Sequence, residues 1–246
     1  MDALIYTVMS GAERSLRAQQ VHANNLANLE TAGFRANLEQ ATSDTVPGYG
    51  YDSRHMSRMQ AQAVSAREGA VRATGRDLDA AIAGPGYFAV EWQGGAGQVQ
   101  EAYTRAGHFD IDAEGTLTVN GRPVLGEGGP IVVPQYERIA IGEDGSVLVQ
   151  NPGQQTLQVV DRLKLVNPAP GDVTKNTAGL IVARSGEALP ADDTVRLRPA
   201  HLEGSNVSAV EEMVAVMDIS REFEVQMKLY RSADGMAESG NRLLRE

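Results

Sequence analysis

Near the start of the chain, Ile5, Met9, Ala12, Leu16, Gln19, Ala23 and Leu26 advance by alternating steps of four and three. This mostly apolar row predicts an amphipathic helix, capped by Asp2 and ending at Gly33. A second helical pattern fills Val207 to Leu244 at the far end. Ser208 followed by Glu211 has the form of a capping box at its start, with Asn206 as the alternative cap. Ala209, Val216, Ile219, Phe223, Tyr230, Ala233, Ala237 and Leu244 form one row on this helix, and Val210, Met213, Met217 and Met227 form another beside it. An apolar surface that wide exceeds a two-stranded seam, so contact with more than one neighbouring helix is expected.

From Asp77 the period changes from helical spacing to strand and turn alternation. Leu78 to Ile82 and Tyr87 to Glu91 are predicted strands split by Gly84-Pro85-Gly86. Glu114-Gly115, Asn120-Gly121 and Asp144-Gly145 each sit between short apolar runs, a strong hairpin signal. The flanking strands are Phe109 to Ile111, Leu117 to Val119, Val124 to Leu125, Ile131 to Val133, Ile139 to Ile141 and Val147 to Val149, with more at Leu157 to Val166 and Leu180 to Ala183. No helical crossovers interrupt them, so an irregular antiparallel sandwich or barrel is expected. Val46 to Tyr51 is turn-like, and the stretch around it carries no clear period. The expected class is α+β: a discontinuous terminal-helix coiled-coil domain (residues 1–35 and 205–246), an extended connector (36–76) and a β-rich central domain (77–204).

Composition narrows the function. Lys and Arg number 22 against 32 Asp and Glu, a formal charge of -10 that argues against a phosphate-binding surface and so against nucleic acid. Aromatics are only 5% of residues, so the core should rest on Val, Leu, Ile and Ala. With no cysteine, disulfides and thiolate metal sites are excluded. No apolar run approaches the roughly 20 residues that span a bilayer, so no direct membrane insertion is expected. Nor is a cleaved secretory signal, because no clear cleavage site follows Ala3 to Met9.

Catalytic candidates do not converge. His22, His55, His108 and His201 lack metal-ligand spacing, and the hydrolase motifs Gly-X-Ser-X-Gly and His-Glu-X-X-His are missing. Asp110 to Gly115 resembles the start of a calcium loop, but Gly121 stands where the bidentate Glu belongs, which favours a hairpin. Gly94-Gly95-Ala96-Gly97 lacks the setting of a dinucleotide loop and reads as a turn. No catalytic residue, cofactor site or metal site is assigned.

Polar residues on the first helix matter more. Gln19, Asn24, Asn25 and Asn28 lie on or near its apolar row, where a buried amide would fix register. The alternative is that the asparagines face solvent near the helix end. Gly11 is likewise either a point of close backbone approach or a tolerated glycine costing about 1 kcal/mol. Phe34 and Arg35, just beyond Gly33, are placed to anchor that end against a neighbour.

The residues from Asn24-Asn25-Leu26-Ala27-Asn28 to Gly33-Phe34-Arg35 resemble the N-terminal signature of bacterial flagellar rod and hook proteins. Leu202-Glu203-Gly204-Ser205-Asn206-Val207 is similar to the family's motif before the C-terminal helix. Asp77 to Phe88 and Tyr103 to Phe109 resemble its central motifs, and Met1 to Ala12 looks most like the proximal rod subunit adjoining the distal rod. Leu29-Glu30 and Ser208 depart modestly from the usual pattern.

The resemblance implies a structural subunit of the flagellar basal-body rod, exported through the flagellar type III apparatus without a cleaved signal and placed in the periplasm. Its partners would be other rod subunits and copies of itself. The terminal helices would form an inner coiled-coil layer through Ile5, Met9, Ala12, Leu16, Gln19, Ala23, Leu26, Val210, Met213, Val216, Met217, Ile219, Phe223, Met227 and Tyr230. The rod so formed would transmit torque and surround the export channel. The alternatives are a distal rod or hook-type axial subunit and, from another class, a peptidoglycan-binding or peptidoglycan-cleaving module.

Overall fold

The computed structural model describes residues 2–45, 55–59, 63–94, 97–169 and 171–243. Helix α1 spans Asp2–Ala27 and helix α2 spans Ala209–Leu243, and the region between them is strands and turns. This is the expected α+β class, with one helix at each end and an antiparallel β domain in the middle. The chain divides into two compact units: Met1–Ala27, Asn37–Ala63 and Ser208–Glu246 make a helical unit, and Asn28–Ala36 with Val64–Val207 make a β unit.

In the helical unit α1 and α2 run antiparallel. Gly11 packs on Gln226, Arg14 lies 4.0 Å from Glu222, and His22 meets Glu212, so position falls along α2 as it rises along α1. Ser208 starts α2 as the capping pattern predicts: its carbonyl accepts from Glu212 N at 3.0 Å and its Oγ from Glu211 N at 3.5 Å. Helix α1 stops at Ala27 instead of Gly33, because Thr31 N turns back to Asn28 O and Phe34 N to Thr31 O. Residues 36–76 are not a bare connector. Ala41–Thr45 and His55–Met59 pair as antiparallel strands in the helical unit, and Val71–Ala73 pairs with His201–Glu203 in the β unit. The turn-like Val46 to Tyr51 lies outside the described residues.

The β unit is antiparallel at every pairing given a register. Its largest sheet has the order Leu165–Val166, Tyr87–Gln93, Val99–Thr104, Ile181–Ala183, Val173–Lys175. Two three-stranded meanders accompany it: Phe109–Ile111 with Leu117–Val119 and Arg122–Pro123, and Arg138–Ile141 with Ser146–Gln150 and Gln158–Arg162. The three hairpin signals sit at their turns, with left-handed backbone at Gly115, at Asn120 and Gly121, and at Gly145. Asp112 Oδ1 accepts from Glu114 N and Thr116 N, which is hairpin chemistry and not cation ligation. Among the described residues no group of three acidic or His side chains is arranged to hold a metal.

Alternating inward residues fill the core: Val90, Leu117, Val119, Val124, Ile131, Ile141, Val147 and Val149 are buried around Phe88 and Phe109, whose rings meet edge to face at 5.1 Å. A separate two-stranded sheet joins residues far apart along the chain. Arg196–Pro199 pairs with Ala80–Ala83, so the strand expected at Leu78 to Ile82 begins two residues later. At Gly107 a Cβ would lie 1.7 Å from Ala80 O, so only glycine lets these two backbones meet there.

Candidate assembly surface and the junction beside it

The α1 face turned toward α2 lies beside the apolar row expected to form the assembly interface. Ser15, Ala18 and Asn25 are buried, and Val8, Gly11 and His22 are half-buried, each one residue before Met9, Leu16, Gln19, Leu26, Ala12 and Ala23. One residue is about 100° around a helix. At Gly11 the absence of a side chain leaves room for one from α2: a Cβ there would stand 3.2 Å from the Gln226 side-chain amide. Met9 and Leu16 are therefore 58% and 51% exposed, Leu26, Gln19 and Ala23 are exposed, and Ala12 is half-buried at the edge. The Ile5 side chain lies outside the described residues.

On α2 the two rows differ in exposure, apart from Met227. Val216, Ile219, Phe223 and Tyr230 are half-buried, with Ala233 buried further along. Val210, Met213 and Met217 are exposed, at 66%, 48% and 53%, while Met227 is half-buried. Val214, Val225, Leu229 and Met236 add to the exposed apolar surface.

The asparagines resolve individually. Asn25 is buried: its Oδ1 accepts from Asn37 N at 2.9 Å, and its Nδ2 donates to Asn37 O at 3.0 Å and to Glu212 Oε1 at 3.1 Å. His22 Nδ1 lies 2.5 Å from Glu212 Oε2, so one α2 carboxylate receives two α1 side chains. Asn24 is exposed, with its Oδ1 taking Asn37 Nδ2 at 3.1 Å, and Ala27 is exposed at the helix end. Asn28 lies beyond α1, in the β unit, where its Oδ1 accepts from Thr31 Oγ1.

Inside the β unit the two sequence motifs meet. Gly33, at φ 68°, donates its N–H to Glu203 O at 2.8 Å, and a Cβ there would overlap Arg105 C at 2.2 Å. Arg35 Nη2 lies 3.0 Å from Glu203 Oε1, and Arg105 Nε lies 2.7 Å from Glu203 Oε2. Gly69 N also donates to Glu203, and Arg105 Nη1 donates to the carbonyls of Gly84 and Gly86. Burial, then the Arg105 charge, push the Arg35 guanidinium below its usual range, against the pull of Glu203.

Lys175 Nζ sits 3.8 Å over the Phe34 ring and donates to Arg35 O at 2.8 Å. Burial lowers its pKa to about 8. Leu202, Gly204, Ser205, Asn206 and Val207 are half-buried. Gly204 N donates to Ala70 O and Val207 N to Ser205 Oγ. Asn206 is not a helix cap: its Oδ1 accepts from Ala36 N at 2.7 Å and its Nδ2 donates to Arg67 O at 2.7 Å. Arg105 was not singled out from the sequence, although Tyr103 to Phe109 flagged the segment that carries it.

Comparison with known proteins covers the same segments. Residues 5–35 match the family described as flagella basal body rod protein, 81–149 the flagellar hook protein FlgE/F/G D1 domain, and 198–243 the flagellar basal body rod FlgEFG protein C-terminal family. Flagellar basal-body rod protein FlgF of Escherichia coli (strain K12) is 38% identical over 252 residues, covering 99% of both chains. The protein of that name from Caulobacter vibrioides is 30% identical, covering 93% of this chain and 92% of its own. Flagellar basal-body rod protein FlgG of Borreliella burgdorferi is 29% identical, covering 98% of each. The chain belongs to the flagellar basal-body rod protein family.

Proposed function

We propose that the chain is a non-enzymatic structural subunit of the basal-body rod, held to copies of itself and to other rod subunits by the outward apolar rows of α1 and α2. The observation that carries this is the exposure of Met9, Leu16, Val210, Met213 and Met217 together on paired helices of one unit. Covering a side chain of that size contributes about 1.5–3 kcal/mol, which favours a partner for each row. Covering these outward rows would add apolar burial to the inner α1 face of Gly11, Ser15, Ala18 and Val21, so the helices gain stability on assembly. In this reading the subunit travels through the flagellar type III export apparatus without a cleaved signal, joins the rod in the periplasm, and there helps transmit torque around the export channel.

The chain has no cysteine, so single cysteines placed at Leu16 and Met217 report only their own contacts. Bifunctional thiol cross-linking in intact basal bodies is expected to give subunit-to-subunit products at both positions. Products no more abundant than from a cysteine at exposed Gln154 would overturn the reading. A distal rod or hook-type subunit is the second reading, supported by the match of residues 81–149 to the hook-related D1 domain. Fractionating hooks from basal bodies separates the two.

A further inference from the structure

The chain passes between its two units at residues 27/28, 36/37, 63/64 and 207/208. Three of these crossings are tied together within the β unit by one side chain. Asn206, next to the last crossing, accepts from Ala36 N at 2.7 Å, beside the second crossing, and donates to Arg67 O at 2.7 Å, just after the third. Its own N–H reaches Phe34 O at 3.2 Å, and Ser65 N donates to Ala36 O at 2.9 Å, closing the ring of bonds. Below it, Glu203 holds Arg35 and Gly69 of the same two segments and is itself held by Arg105.

An amide suits this place because one planar group supplies both the acceptor and the donor that two antagonistic backbone groups need. The side chain uses both functions on segments about 140 to 170 positions away in sequence, and adds to the backbone bonds that Asn206 N makes to Phe34 O and Ser65 N makes to Ala36 O at the same exits.

We propose that Asn206 is a positioning residue for rod assembly, setting the spacing at which residues 36, 64 and 207 leave the β unit. The claim rests on the assembly role of the helices above and adds that the exits must be fixed before partners meet. Removing the amide leaves the β core intact, since Glu203, Arg35 and Arg105 keep their own bonds, but lets the exits drift.

The test uses full-length chain with spin labels on cysteines placed at exposed Glu30 and Glu68, one on each tied segment. Asn206→Ala is expected to broaden the distance distribution severalfold and to lower incorporation into basal bodies severalfold, with Trp92 emission unchanged. Asn206→Asp keeps the acceptor for Ala36 N and should fall between the two. A distribution as narrow as that of the parent chain overturns the proposal, as does wild-type incorporation despite broadening. If Asn206→Ala disturbs Trp92, the same two criteria are applied to Asn206→Asp. Met9→Asp runs in parallel: normal incorporation of that variant contradicts the helix-surface reading, whereas failure of Asn206→Ala to act while Met9→Asp abolishes incorporation contradicts only the role of Asn206.

Discussion

Arg105 Nε donates to Glu203 Oε2 at 2.7 Å, with both side chains 1% exposed. Arg35 takes the other carboxylate oxygen, so two guanidinium groups share one buried anion. Deleting one member of such a set leaves an uncompensated buried charge, which costs about 3–5 kcal/mol. Glu203→Ala is therefore expected to destabilise the β unit by that amount in urea unfolding followed at Trp92. A change below about 1 kcal/mol contradicts the buried-anion account.

Gly107 stands against Ala80 with no room for a methyl group: its Cβ would lie 1.7 Å from Ala80 O. The obstacle is backbone and cannot rotate away. Gly107→Ala is expected to cost about 1–3 kcal/mol or more by forcing apart the Ala80–Gly107 contact. Gly97→Ala, whose Cβ meets nothing within 4 Å, serves as a loop comparison, its own cost arising from φ 74° alone. Urea midpoints for the two variants measure the difference.

Lys175 has a folded-state pKa of about 8 against 10.5 for the free side chain, because burial penalises its charge. Between those values the unfolded chain binds more protons than the folded one, so this lysine makes stability rise with pH from about 8 toward 10.5. Below pH 8 its burial cost is fully present. Lys175→Met should flatten the rise. Urea midpoints at pH 7.5 and 9.5 for both chains test this, and parallel slopes would contradict it.

Helices α1 and α2 leave much of their apolar surface exposed, and local opening is cheap where few apolar contacts must break. Amide hydrogen exchange on verified monomer is expected to show weak protection at residues 5–26 and 209–230 and strong protection in Tyr87–Gln93 and Val99–Thr104. Equal protection across both units would show that the helices are satisfied without partners.

The locally encoded parts of this fold were legible. Asn120-Gly121 and Asp144-Gly145 specify their turns by backbone conformation alone, and the Ser208 cap needs only its own helix. Contacts set by distant partners were not. The strand Arg196–Pro199 has its register fixed by Ala80–Ala83, and no signal near residue 196 names that partner. For α1, the apolar row was legible but not which neighbouring face packs on α2. The inward face is fixed by partners on α2, with Gln226 against Gly11 and Glu212 against His22 and Asn25, and none of these is named by the α1 sequence. Asn206 satisfied the rule for a helix cap, yet its amide is spent on Ala36 and Arg67, far away in sequence.

The most direct measurement is incorporation of Leu16→Asp combined with Met217→Asp into purified basal bodies, quantified against wild type in the same cells. Both positions are exposed, so each substitution should change monomer stability by no more than about 0.5 kcal/mol. The account predicts a folded, exported subunit that is nearly absent from the rod. Wild-type incorporation of the double variant would contradict it.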